Sequence, residues 1–207
     1  MVRDHNNLSL PILRMSSPTH QLIPKLRFPE FSGTWEEKKL GEMWKFIWWG
    51  TPSSDIEEYR NGEIPWISSS DIFDDSISKV NISRFITENA VKESATKITP
   101  KDSVLIVSRV GIGKFSIAPI DLCTSQDFTN ITLEKDNPFF VASYFSSNIK
   151  RFLRLAQWTS IKWFTGQEIR NLKFLIPIIS EQTKIASFLS AVDEKIQQLS
   201  DLKSARE

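Results

Sequence analysis

One segment, Ser108–Phe115, has glycines and a lysine at spacings that suggest phosphate binding. A P-loop needs Gly five positions before its Gly-Lys pair and Ser or Thr after it, but Ser108 and Phe115 stand at those two positions. The third glycine of a dinucleotide-binding fingerprint is also missing, because Ser116 stands in its place. We therefore interpret Gly111-Ile112-Gly113 as a tight turn after a strand.

Other catalytic patterns are incomplete too. Asp136-Asn137-Pro138-Phe139 lacks the second proline of the Asn-Pro-Pro-aromatic loop of amino-methylating DNA methyltransferases, and it fits a capped helix start better. His5 and His20 both lie in residues 1–24, a proline-containing segment with the character of a tail, so no Ser/His/Asp set is credible. One cysteine, Cys123, and two histidines make neither an intrachain disulfide nor a structural zinc site. We predict a chain with no catalytic residue, metal site or cofactor of its own.

Hydrogen-bonding and basic side chains gather instead in loops beside aromatic residues, as on surfaces that bind nucleic acid. The serines of Ser68-Ser69-Ser70 can donate and accept hydrogen bonds, and Gln126 can read adenine in a major groove. Each loop also has a structural interpretation, which is turn stabilisation, surface solvation or core packing. The candidate DNA-binding residues are Ser68, Ser69, Ser70, Arg109, Lys114, Gln126, Lys162 and Trp163.

The composition allows one compact domain with an appendage. Of 207 residues, 40% are hydrophobic, and 14 Phe and 7 Trp provide much of the area for a core. The net charge is only +1, but residues 45–75 are acidic and residues 150–173 are basic. That distribution suits one face for phosphates and another for a partner, and it also fits ordinary surface solvation.

The sequence predicts a protein of the cytoplasm. A single cysteine fits a reducing compartment. No apolar run approaches the roughly 20 residues of a transmembrane helix, and the first residues lead into no apolar run of a signal peptide.

Three parts follow one another along the chain. Residues 1–24 lack a sustained hydrophobic period and have the character of a disordered tail. Met15 is an alternative start to Met1. Residues 25–179 form a mixed α/β domain of short strands and helices. Residues 180–207 form one long helix.

Short elements are predicted throughout the domain. Thr34 and Glu37 have the spacing of a capping box, which predicts a helix through Leu40 that Gly41 ends. Strands are predicted at 46–49 (buried), 64–67, 104–107, 115–118 and 172–176, and helices after Thr87, after Asn137 and after Thr165.

The last segment has the pattern of an amphipathic helix. Ser180 is a suitable cap, and Glu181 stands in the first turn, where a carboxylate favours the helix dipole. A helix of about 25 residues extends about 38 Å, which is long for this domain to cover. Packing on its own domain is the alternative, but we favour a protruding coiled-coil helix that pairs with another chain or another copy. The seam residues are Ile185, Phe188, Leu189, Val192, Ile196 and Leu199.

Several of these segments resemble type I restriction-modification specificity subunits. Residues 25–41 resemble the start of such subunits, and Ile64–Ile72, Ser108–Lys114 and Thr124–Phe128 are similar to segments of their target-recognition domains. The resemblance covers residues 25–203. Many relatives have Gly-Gly-Thr-Pro-Ser where this chain has Trp49-Gly50-Thr51-Pro52-Ser53. The most specific part is the series Pro177, Glu181-Gln182, Ile185-Ala186, Phe188-Leu189, Asp193 and Ile196.

The resemblance implies a division of labour among subunits. A full specificity subunit has two target-recognition domains, each of which binds one half of a split target in double-stranded DNA. A long helix follows each domain, and the two helices pack antiparallel and set the distance between the domains. Methyltransferase subunits carry out S-adenosylmethionine-dependent adenine methylation, and restriction subunits, which use ATP, join for cleavage. With one domain and one helix, this chain resembles half a subunit, either a natural half-subunit or a fragment of a longer chain.

Two functions of other classes stay open on the sequence alone. A protein-interaction module without a DNA role would share the amphipathic helix, and salt-dependent DNA binding would separate it from a recognition subunit. A solitary DNA-modifying enzyme would bind a cofactor by itself.

Overall fold

The computed structural model describes residue 24 and residues 26–48, 50–156 and 166–204, without the side chains of 149–156. Nearly all of the predicted tail, the helix start at Thr165 and the binding candidates Lys162 and Trp163 lie outside these ranges. Among the described residues, no helix has the length and apolar character to cross a membrane. The same residues bring no three His, Cys, Asp or Glu side chains together as metal ligands.

Nine strands and five α-helices alternate in the described chain, which confirms the mixed α/β prediction. In chain order they are β1 (Glu36–Lys39), α1 (Leu40–Met43), β2 (Lys45–Ile47), β3 (Arg60–Ile67), β4 (Arg84–Ile86), α2 (Glu88–Glu93), β5 (Val104–Val107), β6 (Phe115–Ile117), β7 (Cys123–Thr124), β8 (Phe128–Thr132), α3 (Pro138–Ala156), α4 (Gly166–Asn171), β9 (Lys173–Ile176) and α5 (Ile179–Ser204).

The main sheet is antiparallel, with four strands in the order β2-β8-β5-β6. Every residue of β5 is buried, as a run of four branched apolar residues predicts for a central strand. The predicted turn and return strand after β5 are also confirmed. The prediction of a buried strand at 46–49 was wrong in its burial, because β2 lies at the sheet edge and leaves Trp48, just after it, 39% exposed.

A second sheet has the order β4-β3-β7, with β3 and β7 parallel. The pairing of β3 with β4 is irregular between Arg60 and Ile64. There Asn61 has a φ of 57°, and a Cβ on Gly62 would lie 2.2 Å from the carbonyl oxygen of Ile86. Only glycine therefore allows the two strands to approach each other at this point.

The predicted helix at Thr34–Leu40 was wrong. Residues Glu36–Lys39 form β1, which pairs antiparallel with β9, and the helix begins only at Leu40. Long-range strand pairing outweighs the local capping signal at this position. Gly41, which was predicted to end the helix, lies inside α1, where its missing side chain leaves room for Arg170 of α4.

The helices predicted after Thr87 and after Asn137 are confirmed, and so is the predicted cap at Asn137. The side chain of Thr87 accepts a hydrogen bond from the backbone N–H of Ala90 at 3.3 Å and begins α2. Asn137 Oδ1 likewise accepts from the N–H of Phe140 at 3.1 Å and begins α3, with Pro138 as its first residue.

Aromatic side chains fill the space between α3, the main sheet and β9. Phe174 is fully buried, with its ring centroid 4.0 Å from that of Tyr144, 5.0 Å from Trp44 and 5.6 Å from Phe145. Phe145 in turn stacks on Phe115 of β6 at 5.5 Å. This cluster fixes α3 on the sheet and, through β9, ties the last strand to the domain.

We expect Thr87→Ala to lower the free energy of unfolding by about 1–2 kcal/mol, because it removes the cap of α2. It also removes the hydrogen bond that the hydroxyl donates to the carbonyl of Glu58 at 2.9 Å. Urea denaturation would measure the loss, and Thr87→Ser, which keeps the hydroxyl, is the matched control. Equal stability of all three proteins would contradict this account of the cap.

The last helix, α5, changes character along its length. It begins at Ile179, so Ser180 lies inside the helix and the predicted cap at Ser180 was wrong by two residues. Glu181, in the first turn as predicted, is buried, as are Gln182 and Ala186. From residue 191 to residue 204 every residue is exposed. The helix is thus buried in the domain only by its first turns, and its later part keeps a surface contact, from Lys79 Nζ to Gln197 Oε1 at 2.6 Å.

Candidate functional site

Three loops meet at one side of the molecule, and we call this surface the loop face. It comprises residues 68–71 after β3, residues 108–113 after β5 and residues 125–127 between β7 and β8. The N–H of Ser125 donates to the carbonyl of Ile67 at 2.9 Å, and the N–H of Ser108 donates to the carbonyl of Asp127 at 2.8 Å. Backbone hydrogen bonds therefore hold loops together that are far apart in the sequence.

The loop of residues 68–71, which we call the serine loop, is held by the buried carboxylate of Asp71. Ser69–Asp71 form a single 3-10 turn, and Asp71, only 6% exposed, accepts a hydrogen bond from the N–H of Ser68 at 2.7 Å. The Ser68 and Ser70 hydroxyls are hydrogen-bonded to each other at 2.9 Å. Ser70 is exposed, while Ser68 and Ser69 are half-buried. The predicted serines thus lie at the surface in a fixed conformation.

Arg84 joins this loop from the neighbouring strand and was missed by the sequence analysis. It forms an ion pair with Asp71, donates to Ser68 Oγ at 2.7 Å and lies over the Trp66 ring at 4.5 Å. Its side chain remains 44% exposed. Trp66 and Arg84 are directly paired residues of β3 and β4, so they share one face of the sheet. Only that pairing could have revealed the cluster.

The other two loops present Arg109 and Gln126. The N–H of Arg109 donates to the carbonyl of Asp127 at 3.2 Å, and the N–H of Gln126 donates to Thr51 Oγ1 at 3.2 Å. Both side chains are exposed. The structure therefore brings Ser68–Ser70, Arg109 and Gln126 to the same surface, with a fourth loop through Thr51.

The glycine turn has the geometry of a reversal between strands. Gly111 and Gly113 have φ values of 83° and 105°, and the N–H of Val107 bonds to the carbonyl of Lys114 at 3.0 Å. This confirms the prediction of a tight turn. Val110, at the tip beside Arg109, is 70% exposed.

Lys114 points away from the turn tip. Its ammonium donates to the carbonyl of Ile72 at 3.2 Å and lies 3.5 Å from an oxygen of Asp74, and the side chain is 24% exposed. Its charge is thus engaged within the chain. A direct contact of Lys114 with DNA stays a prediction, as do the roles of Lys162 and Trp163.

An open hollow of about 480 Å³ adjoins the loop face. Its walls include the rings of Tyr59, Trp66 and Phe85 and the side chains of Arg60 and Arg84. Arg60 also donates to the carbonyl of Ser54, which fixes one rim. Aromatic surface beside guanidinium groups is suited to nucleic acid, since both stack on bases and attract phosphates.

The predicted seam residues of α5 divide into two sets. Ile185 and Leu189 are half-buried, and Leu189 faces a hollow that α3 and residues 73–77 also line. The second set is largely exposed. It consists of Phe188 (56% exposed), which also packs edge to face on Phe28, and of Val192 (39%), Ile196 (60%), Leu199 (67%) and Leu202 (59%).

Comparisons with known proteins agree with this architecture. Residues 32–204 match the family model described as the type I restriction modification DNA specificity domain. The chain is 33% identical over 170 residues to the type I restriction enzyme MjaIX specificity subunit of Methanocaldococcus jannaschii, covering 79% of this chain and 39% of the relative. It is 32% identical over 178 residues to the EcoR124I/EcoR124II specificity subunit of Escherichia coli, covering 81% and 43%.

Solved structures share the fold. The HsdS subunit of Thermoanaerobacter tengcongensis aligns with a TM-score of 0.60 at 19% identity, over 89% of this chain and 42% of that one. The type I restriction-modification S subunit of M. genitalium aligns with a TM-score of 0.58 at 16% identity, over 83% and 42%. The chain therefore spans about two fifths of the length of the proteins that it matches.

Proposed function

The chain belongs to the family of type I restriction modification DNA specificity domains, and on this basis we propose that it reads one half of a split target in double-stranded DNA. The observation that supports this most is the loop face. Arg109, Gln126 and the serine loop lie on one surface, and buried backbone contacts at Ser108 and Ser125 hold their loops in place. Hydrogen-bonding and cationic side chains on rigid loops are what base-edge and phosphate recognition require.

We propose a role in binding and not in catalysis. In this role the chain places DNA before methyltransferase subunits that use S-adenosylmethionine, and restriction subunits join the same assembly. Methyl transfer and ATP use belong to those partners. Such work on chromosomal DNA takes place in the cytoplasm. The purified chain alone is expected to transfer no methyl group to DNA.

The second half-site needs a second recognition domain. Either another copy of this chain or a further domain of a longer chain supplies it. The exposed apolar side chains of α5 support pairing of helix with helix, because a single chain leaves them in water. Two copies related by a twofold axis would read an inverted repeat, whereas an asymmetric target would require a different second domain.

DNA binding in the assembled complex tests the proposal, and we expect affinity to fall steeply with salt. Gln126→Ala should cost about 1–3 kcal/mol on the matched target and little on unrelated DNA, because it removes a base contact. Arg109→Ala should weaken binding to all sequences alike and reduce the salt slope by about one if it contacts phosphate.

Lys101→Ala is the matched control, because Lys101 is an exposed cation that precedes β5 and lies outside the loop face. Binding that is insensitive to salt and to both loop substitutions would contradict the proposal. It would favour a protein-interaction module instead.

A further inference from the structure

Two polar side chains are buried where α5 leaves the domain. Glu181 and Gln182 are each 1% exposed, although both occupy the first turn of a helix whose residues from 191 to 204 are all exposed. In that exposed part, Lys79 Nζ donates to Gln197 Oε1 at 2.6 Å, a surface hydrogen bond between two flexible side chains. Burying a carboxylate and an amide is unfavourable unless every polar atom has a partner. Their partners come from three separate parts of the chain.

Glu181 is bound by the segment that precedes β1. Arg27 donates from Nε at 2.8 Å and from Nη2 at 2.6 Å to the two carboxylate oxygens, and Trp35 Nε1 donates at 3.1 Å. Such a two-point guanidinium–carboxylate contact fixes orientation as well as distance. Arg27 also donates from Nη1 to the carbonyl of Gly33 at 2.6 Å, which fixes its side chain against the segment before β1.

Gln182 is bound from the other side. Its oxygen accepts from the N–H of Asn137 at 2.9 Å, and its nitrogen donates to Asp136 Oδ1 at 2.8 Å and to the carbonyl of Pro177 at 2.9 Å. Asp136 also accepts from Trp44 Nε1 at 2.7 Å. The first turn of α5, which we call the helix root, is thereby bonded to the start of α3 and, through Asp136, to Trp44 after α1.

A third contact extends one turn further along the helix. The ring of Phe28 meets that of Phe188 edge to face at 5.9 Å, and Lys184 lies 5.5 Å above Phe28 and 3.3 Å from Glu30. The segment before β1 therefore runs beside the first turns of α5. Its contacts with Glu181, Lys184 and Phe188 lie on successive turns of one helix, so they resist tilting.

We propose that Glu181 and Gln182, with Arg27, Trp35, Trp44 and Asp136, form a clamp that fixes the direction in which α5 leaves the domain, and thereby the gap between the two half-sites. The second part rests on the proposed function. A well-satisfied buried polar network specifies geometry more than it adds stability. These are positioning residues, since none of them belongs to the loop face.

A small change in the direction of α5 displaces the far end of the helix by several ångströms. Ser200 lies roughly 27 Å from Gln182 along the helix at 1.5 Å per residue, so a tilt of 10° moves it by about 5 Å. That displacement exceeds one base-pair step of about 3.4 Å. A loose root would let the paired domains accept several gaps, whereas a clamped root selects one.

Distances between spin labels test the clamp directly. Labels are attached to Lys101→Cys in the domain and Ser200→Cys on the polar side of α5, and labelled chain is diluted with unlabelled chain to suppress signals between copies. Both positions are exposed. The native Cys123 does not interfere, because it is fully buried and burial raises its pKa to about 11, which keeps the thiol protonated and unreactive.

We expect a narrow distance distribution in the parent and a distribution broader by about 5 Å or more in Glu181→Gln and Gln182→Leu, as a 10° tilt requires. Thr183→Ala is the matched control, because Thr183 lies in the same turn but is exposed and bonds only within its own helix. Circular dichroism verifies that each variant is folded. Should the two variants unfold, two milder changes replace them. Arg27→Lys keeps the charge but loses the two-point contact with Glu181, and Trp44→Phe loses the hydrogen bond to Asp136.

Unchanged distributions in folded variants would overturn the clamp, because a merely structural role would lower the melting temperature without moving the label. A second readout uses DNAs that differ only in the gap between half-sites, bound by the assembled complex. The parent should prefer one gap, and the clamp variants should accept its neighbours. If the parent itself shows no preference for any DNA, the proposed function fails while the distance result still decides the clamp.

Discussion

Ile196→Asp together with Leu199→Asp should leave the chain monomeric at concentrations where the parent is paired. The two side chains are 60% and 67% exposed in the single chain and lie on the same side of α5. Burial in a helix pair would contribute about 1.5–3 kcal/mol for each such side chain. Losing both therefore weakens association by about a hundredfold or more, and carboxylates in an apolar seam add a desolvation cost.

Sedimentation equilibrium over a range of concentrations measures this change. Gln198→Asp with Ser200→Asp is the control, because it adds the same two charges to the same turns at exposed polar positions. The control should pair like the parent. A parent chain that stays monomeric, or a double variant that pairs normally, would contradict the seam of two copies.

Asp71→Ala should damage stability and recognition together. The carboxylate is 6% exposed and holds the N–H of Ser68 and the guanidinium of Arg84. Without it, the half-buried N–H of Ser68 has lost its acceptor, which costs about 1 kcal/mol of unfolding free energy. Arg84 can turn to solvent because its side chain is 44% exposed. The serine loop then loses its fixed conformation, and the preference for the matched DNA target should fall.

Urea denaturation and binding to matched and unrelated DNA measure the two effects. Asp71→Asn keeps an acceptor of the same shape and should lose less than Asp71→Ala, while Asp75→Ala removes an exposed carboxylate from the same loop region and should behave as the parent. If Asp71→Ala lost stability but kept its full preference for the target, the serine loop would have no part in recognition.

Local signals predicted the parts of the fold whose stability is local. The strand at Val104–Val107, the glycine turn after it and the helix starts after Thr87 and Asn137 all depend on neighbouring residues, and all are confirmed. The segment Glu36–Lys39 depends on β9, from the other end of the domain, and a capping pattern gave no hint of that pairing.

The candidate site divides in the same way. Residue chemistry identified the serine loop, Arg109 and Gln126, and the structure brings them together. It could not identify Arg84, whose position beside Asp71 and Trp66 follows from strand register. Likewise, the amphipathic pattern predicted a long helix, but the burial of Glu181 and Gln182 follows from contacts with Arg27 and Asp136, which the pattern does not contain.

In the loop face, the residues that hold the loops in place are different from the residues whose side chains are exposed to a ligand. The anchors Ile67, Ser108 and Ser125 are at most 5% exposed, whereas Arg109 and Gln126, next to two of them in the chain, are exposed. Exposed substitutions usually change stability by no more than about 0.5 kcal/mol. Descendants of this chain can therefore change their displayed side chains one at a time and diverge toward new targets, while the same scaffold continues to fold.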